Sequence, residues 1–164
     1  MNHCQSLTKI VPLEDFGGSY HSYEAYLYSV FCNAIKNAQL NFLGKPLSTR
    51  RHPEYDGKED SFFHLTCKEQ YNLDDRTLDF RRSERLHWIP EVLNSSHLTC
   101  PTDCFVVYKK NKKLHFLDIQ DRYIIVLDVR ANYVLLVTAF YIEQEHILRK
   151  KIKDYRDYLK NLGL

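Results

Sequence analysis

Phe105-Val106-Val107-Tyr108, the turn Lys110-Asn111-Lys112 and the run Leu114 to Ile119 read as two strands joined by a tight connection. Asp121-Arg122 leads into Tyr123-Ile124-Ile125-Val126-Leu127. Arg130-Ala131-Asn132 then turns the chain into Tyr133-Val134-Leu135-Leu136-Val137-Thr138-Ala139-Phe140-Tyr141. Strands joined by connections this short pair antiparallel, so the four runs predict an antiparallel meander. The last two runs are almost continuously apolar, which predicts central strands covered on both faces.

Working outward, a helix is predicted over 143–161, with Leu148, Ile152, Tyr155 and Leu159 as its buried stripe. Its polar face aligns His146, Lys150, Lys153 and Asp157. Towards the N-terminus, residues 1–19 read as an irregular lead-in ending at Gly17-Gly18. Apolar residues from Tyr23 to Ala38 step by three and four, predicting a helix over 20–43 that stops near Leu43-Gly44. Residues 45–61 are polar and carry Pro53 and Gly57, as a long loop would. Ser61 to Cys67 reads as a short strand leaving that loop. A second helix is predicted at 80–94, with Leu86, Ile89 and Leu93 inward, kinked or restarted at Pro90 and closed by Asn94-Ser95-Ser96. The prediction is one α+β domain over 1–164: N-terminal helices on a four-stranded antiparallel meander, then a C-terminal helix.

The 164 residues suffice for a real core, and 44% hydrophobic with 27% charged residues is a globular composition. Net charge is only +2, so any nucleic-acid binding has to use a local basic face. No apolar run is long enough to span a bilayer, and the first residues lack the pattern of a secretion signal. Five cysteines without a CxxC pair favour free thiols in a reducing cytoplasm.

The chemistry concentrates in three places. Arg81-Arg82-Ser83-Glu84-Arg85-Leu86-His87-Trp88-Ile89 holds three arginines, a histidine and the chain's single tryptophan. Arg81 and Arg85 share a helix face, and guanidinium forks anchored by apolar neighbours can hold a phosphate. The same residues also suit a solvated helix end paired with Glu84 and Asp79. In the predicted strand, alternation points His64 and Thr66 to one face, where an imidazole beside a hydroxyl suits acid–base work. A core histidine satisfied by a carbonyl is the competing reading. Thr138 is a lone hydroxyl in an apolar strand. It shares a face with Phe140 and Ile142, and Tyr141 points away from them unless a bulge intervenes.

Other chemistries find less support. His97, Cys100, Cys104 and His115 lack a standard zinc spacing. Asp118, Asp121 and Asp128 lack the partners of a two-metal nuclease, and no phosphate-cradling glycine loop occurs. Cys67 beside His64 is a weak nucleophile candidate, since nothing else in the chain points to acyl chemistry.

The segments FFHLTCK (62–68), RTLDFRRSERLHWIPEVL (76–93) and RYIIVLDVRANYVLLVTAFYI (122–142), followed by a basic helix, resemble phage- and prophage-associated nuclease domains. These are grouped with barnase, EndoU, the tRNA-cutting colicins and RelE-type toxins. The resemblance covers about residues 53–158 and implies helices on a four-stranded antiparallel sheet. It also implies a cytoplasmic ribonuclease that uses neither metal nor cofactor. RNA, tRNA or mRNA, would be the partner, and by analogy an inhibitor protein; no membrane is implied. His64 would act as base or acid, with His146 or Tyr141 as counterpart. Arg82 and Arg85 would hold the phosphate, Thr138 would donate a hydrogen bond to it, and Arg81, Arg149 and Lys150 would bind RNA. Ser83 and Phe140-Tyr141 stand where a cysteine and tyrosines are expected. The rival expectation is a phage-encoded module on the same fold that binds nucleic acid or protein without turnover.

Overall fold

The computed structural model describes residues 7–68, 76–93 and 104–164. Strands β1 (Asn41–Phe42), β2 (Lys45–Ser48), β3 (Phe105–Lys110), β4 (Lys113–Asp118), β5 (Tyr123–Val129) and β6 (Val134–Tyr141) build one sheet, in the order β1-β2-β6-β5-β4-β3. Helices α1 (Tyr20–Val30), α2 (Asp60–Thr66), α3 (Phe80–Ser83) and α4 (Trp88–Leu93) precede β3, and α5 (Glu145–Asn161) follows β6. The architecture is α+β with helices at both ends of the chain.

The sheet has six strands, not the four expected. Strands β3 to β6 pair antiparallel in chain order, but β2 adds to β6 in parallel, with Leu47 opposite Val134 and Ser48 opposite Leu135. Strand β1 pairs antiparallel with β2, and Pro46 is tolerated because that pairing is only two residues long. Segment 45–48 is too short and polar to show a strand period. The helix expected to reach residue 43 ends at Lys36 in a π turn, where Asn37 N–H donates to the Cys32 carbonyl at 2.9 Å. Leu43 and Gly44 then take φ of 54° and 73° to close the β1–β2 turn.

Two further expectations are corrected. Residues 60–66 form a helix, not a strand. Phe62, Phe63 and Leu65 are all buried, so the alternation read there was a coincidence of a short, mostly enclosed run. The helix expected at 80–94 is two short helices separated by turns at 84–87. Pro90 sits third in α4, where its missing N–H leaves no helical bond unmade. Asn94, Ser95 and Ser96 lie outside the described residues.

The sheet separates two apolar clusters. Tyr23, Leu27, Phe31 and Ile35 step by four along the first helix and meet Phe62, Trp88, Tyr123 and Leu136 on one face. On the other face Tyr108, Leu117, Ile124 and Val126 lie beneath Leu148, Ile152 and Tyr155 of α5. A register shift at Val126/Leu127 leaves Val137 as an extra residue in β6. That bulge resets the alternation, so Ala139 joins Leu136 on the first face while Phe140 and Ile142 turn to the second. The lead-in is tied down over Leu7 to Val11. Trp88 Nε1 donates to the Thr8 carbonyl (2.8 Å), Thr8 Oγ1 donates to Glu91 (2.7 Å), and Val11 N–H donates to the Glu84 carbonyl (3.0 Å).

Candidate functional site

Helices α2 and α3 pack together against β6. Asp79 caps α3 by accepting from the Arg82 N–H at 3.1 Å. From this anchored turn two side chains reach back to the end of α2. Arg82 Nη1 donates to the His64 carbonyl (2.6 Å), and Ser83 Oγ donates to the Thr66 carbonyl (2.8 Å). Thr138 Oγ1 on β6 adds a longer bond of 3.4 Å to the same His64 oxygen. The last carbonyls of a helix have no partner within it, and here side chains supply one.

The His64 imidazole points elsewhere. Its Nε2 lies 3.2 Å from Asp60 Oδ2, one helical turn back, and the side chain keeps 32% of its surface exposed. Asp60 is only 4% exposed and meets two cations: Arg76 Nη2 at 3.1 Å from Oδ1, and Arg50 Nη1 at 3.9 Å from Oδ2. The Arg76 guanidinium also stacks on Phe63, 4.7 Å from the ring centre. Arg50 is positioned by the backbone, because its N–H donates to Ser61 Oγ (2.6 Å) and its carbonyl accepts from Ser61 N–H (3.0 Å). A buried carboxylate on Nε2 favours the neutral tautomer protonated there, which leaves Nδ1 with a free lone pair. Asp60 therefore orients an imidazole that can take a proton from a bound molecule. The flanking guanidiniums supply positive charge for an anion.

The remaining candidates sort by burial. Arg82 and Arg85 are buried, and neither Nε atom has a hydrogen-bond partner, although Arg82 Nε lies 3.8 Å from Asp79 Oδ2. Arg85 donates to the Arg81 carbonyl at 2.8 Å and lies between the rings of Trp88 (5.3 Å) and Tyr141 (4.9 Å). Arg81 is exposed and covers Tyr141 at 5.1 Å. Arg82 faces a cleft of about 350 Å³ lined also by Lys68, Asp79, Phe140, Tyr141 and Gln144. His146, Arg149 and Lys150 lie exposed on the first turns of α5, where Arg149 pairs with Glu145 at 3.5 Å. Thus Arg82 and Thr138 converge on the carbonyl of His64, while its ring meets Asp60, whose carboxylate Arg76 and Arg50 also approach. Arg85 and Tyr141 form a separate stack.

Cys67 is buried, and desolvation pushes its thiol up, against a reactive thiolate. His115 stacks flat on Tyr108, 4.8 Å between centres at 7°. No group of three or more histidine, cysteine or acidic residues among the described residues is arranged to hold a metal. His97 and Cys100 lie outside those residues. No helix among the described residues is long and apolar enough to cross a membrane.

Comparisons with protein families, curated proteins and solved structures each find no match to this chain. The likeness to nuclease domains therefore rests on the quoted segments alone. Asp60, Arg50 and Arg76 were missed by sequence reasoning. The signal for Asp60 was its position four residues before His64, which acquires meaning only once the segment is read as a helix. Arg50 comes from the loop before α2 and Arg76 from the segment just before α3, so no local spacing announces either.

Proposed function

We propose that this protein is a metal-independent endoribonuclease of the cytoplasm, with His64 as its acid–base group. The observation that carries the reading is the pairing of a buried, doubly guanidinium-bound Asp60 with an imidazole that remains one-third exposed. A buried carboxylate with an accessible imidazole beside it is the arrangement by which proton-transfer sites fix tautomer and direction. The quoted segments that resemble RNA-cutting nucleases supply the substrate class.

In this reading His64 Nδ1 removes the proton from a ribose 2′-OH, and the oxygen attacks the adjacent phosphorus. The P–O5′ bond breaks, leaving a 2′,3′-cyclic phosphate, and a second group protonates the departing 5′-oxygen. His146 and Tyr141 are the candidates for that proton. Arg50, half exposed, and Arg76 carry the charge that steadies the phosphorane oxygens. Arg82 and Thr138 become positioning residues that hold the end of α2.

The test is cleavage of single-stranded RNA in excess EDTA, with the matching DNA as control. RNA products ending in cyclic phosphate, lost in His64→Ala, are expected; RNA left intact by the wild-type protein overturns the reading. The exposure of Arg81, Arg149 and Lys150 favours a second reading, a binding module without turnover. It predicts salt-sensitive RNA affinity with no products.

A further inference from the structure

The β3–β4 hairpin carries Lys109, Lys110, Lys112 and Lys113 around its turn. Lys110 and Lys113 are directly opposite in the register, and like charges in that position repel. Lys112 takes φ of 65° after Asn111 at 50°, a left-handed site where glycine is the favoured residue. The turn thus keeps a lysine where both backbone geometry and charge disfavour one.

Helix α5 packs on β3 and brings more cations to the same place. Asp154 answers Lys110 at 2.6 Å, and Asp128, opposite Lys113, is held by Arg130 at 2.6 Å. Lys151 is lowered below the ordinary lysine range, first by burial and then by Lys110 and Lys150, with Asp154 opposing. His115, on β4 of the hairpin itself, is likewise lowered by burial and by Lys151 and Lys110. The two segments therefore share one electrostatic neighbourhood. It concentrates positive charge on a chain whose net charge is only +2.

We infer that the hairpin tip Lys110–Lys113 and the α5 residues Lys150 and Lys151 form a platform for the phosphodiester backbone of single-stranded RNA. A nucleic-acid strand carries a charge on every nucleotide, a density that engages neighbouring lysines together. Lysine serves as a point-charge partner for phosphate. The platform rests on the ribonuclease reading for its choice of RNA and gives that site an extended substrate grip. Binding at the platform does not need His64 chemistry.

The experiment is fluorescence anisotropy with a labelled single-stranded RNA, the same-sequence DNA and phosphatidylserine vesicles. Full-length His64→Ala is compared with a form also carrying Lys112→Gly, Lys113→Gln and Lys150→Gln. Loss of three phosphate contacts predicts a salt slope shallower by about 2, with affinity about tenfold weaker or more at low salt. Lys112→Gly relieves the left-handed strain, so a retained or raised melting temperature separates lost binding from lost fold. RNA affinity and slope unchanged in the lysine variant overturn the platform while leaving His64 chemistry standing. Binding to vesicles with none to RNA overturns it in favour of a membrane surface. Equal binding of DNA and RNA supports the backbone-reading mode. RNA cleavage lost in His64→Ala with platform binding intact separates the two sites.

Discussion

Arg82 Nη1 lies 2.6 Å from the carbonyl oxygen of His64, and the His64 ring on the other side of the same backbone meets Asp60. One residue is thus fixed twice, by a cation at its main chain and by an anion at its side chain. The link joins the arginine-rich segment to the imidazole through structure rather than through a shared ligand.

Replacing Arg82 with methionine keeps the apolar stem but removes the donor to the His64 carbonyl. The half-buried oxygen would retain only the long bond from Thr138. A loss of about 1 kcal/mol in unfolding free energy is expected, the lower end of the cost of leaving a polar group without its partner. Urea denaturation monitored by circular dichroism measures it, and an unchanged midpoint contradicts the capping role.

Asp60→Asn keeps the size of the side chain but removes the charge that holds Nε2–H of His64. RNA cleavage should fall by about 10² or more, close to the effect of His64→Ala, because general acid–base groups contribute about 10²–10⁴. Circular dichroism separates this from a folding defect. A variant that keeps the wild-type spectrum and a cooperative melt while losing cleavage supports the orienting role of Asp60. Loss of the folded spectrum argues for damage to structure alone.

His115 offers a pH test independent of the site. Burial first, then Lys151 and Lys110, hold its imidazole down to about 4, against partial opposition from Asp154. The unfolded value is near 6.5, so between these limits the unfolded chain takes up a proton that the folded one refuses. The resulting stability is complete above pH 6.5 and is lost as pH falls towards 4, by up to about 3 kcal/mol. His115→Phe preserves the stack on Tyr108 and should remove this component. The measurement is the difference between variant and wild type in urea midpoint at pH 7 and at pH 4.5.

Cys67 is buried beside Thr66, whose hydroxyl lies 3.6 Å from its sulfur, and its thiol is pushed up by desolvation. Brief alkylation of the native protein followed by peptide mass mapping should find Cys67 protected and the half-buried Cys32 and Cys104 modified first. Rapid modification of Cys67 contradicts that placement.

The strands β3 to β6 were legible because their side chains obey a simple rule: long apolar runs separated by polar turns. Segment 45–48 escaped because a four-residue strand with a proline carries no period, and its partner β6 is far away in sequence, with Leu47 opposite Val134. His64 was found for its chemistry, but its surroundings were not. A helix of only seven residues, with buried polar residues Asp60, Ser61 and Thr66 among its apolar ones, is too short for periodicity to distinguish it from a strand. The arginines were read by type and helical spacing. Burial, which sequence does not display, turned Arg82 into a cap and Arg85 into a bridge between Trp88 and Tyr141.

The indole of Trp88 is the chain's sole one, and its N–H holds the Thr8 carbonyl while the Arg85 cation covers its face. Intrinsic emission excited at the red edge consequently monitors a single locus. Detachment of residues 7–11 would expose that ring to solvent and shift its spectrum to longer wavelength, giving an optical gauge of the leading segment's attachment without any added dye.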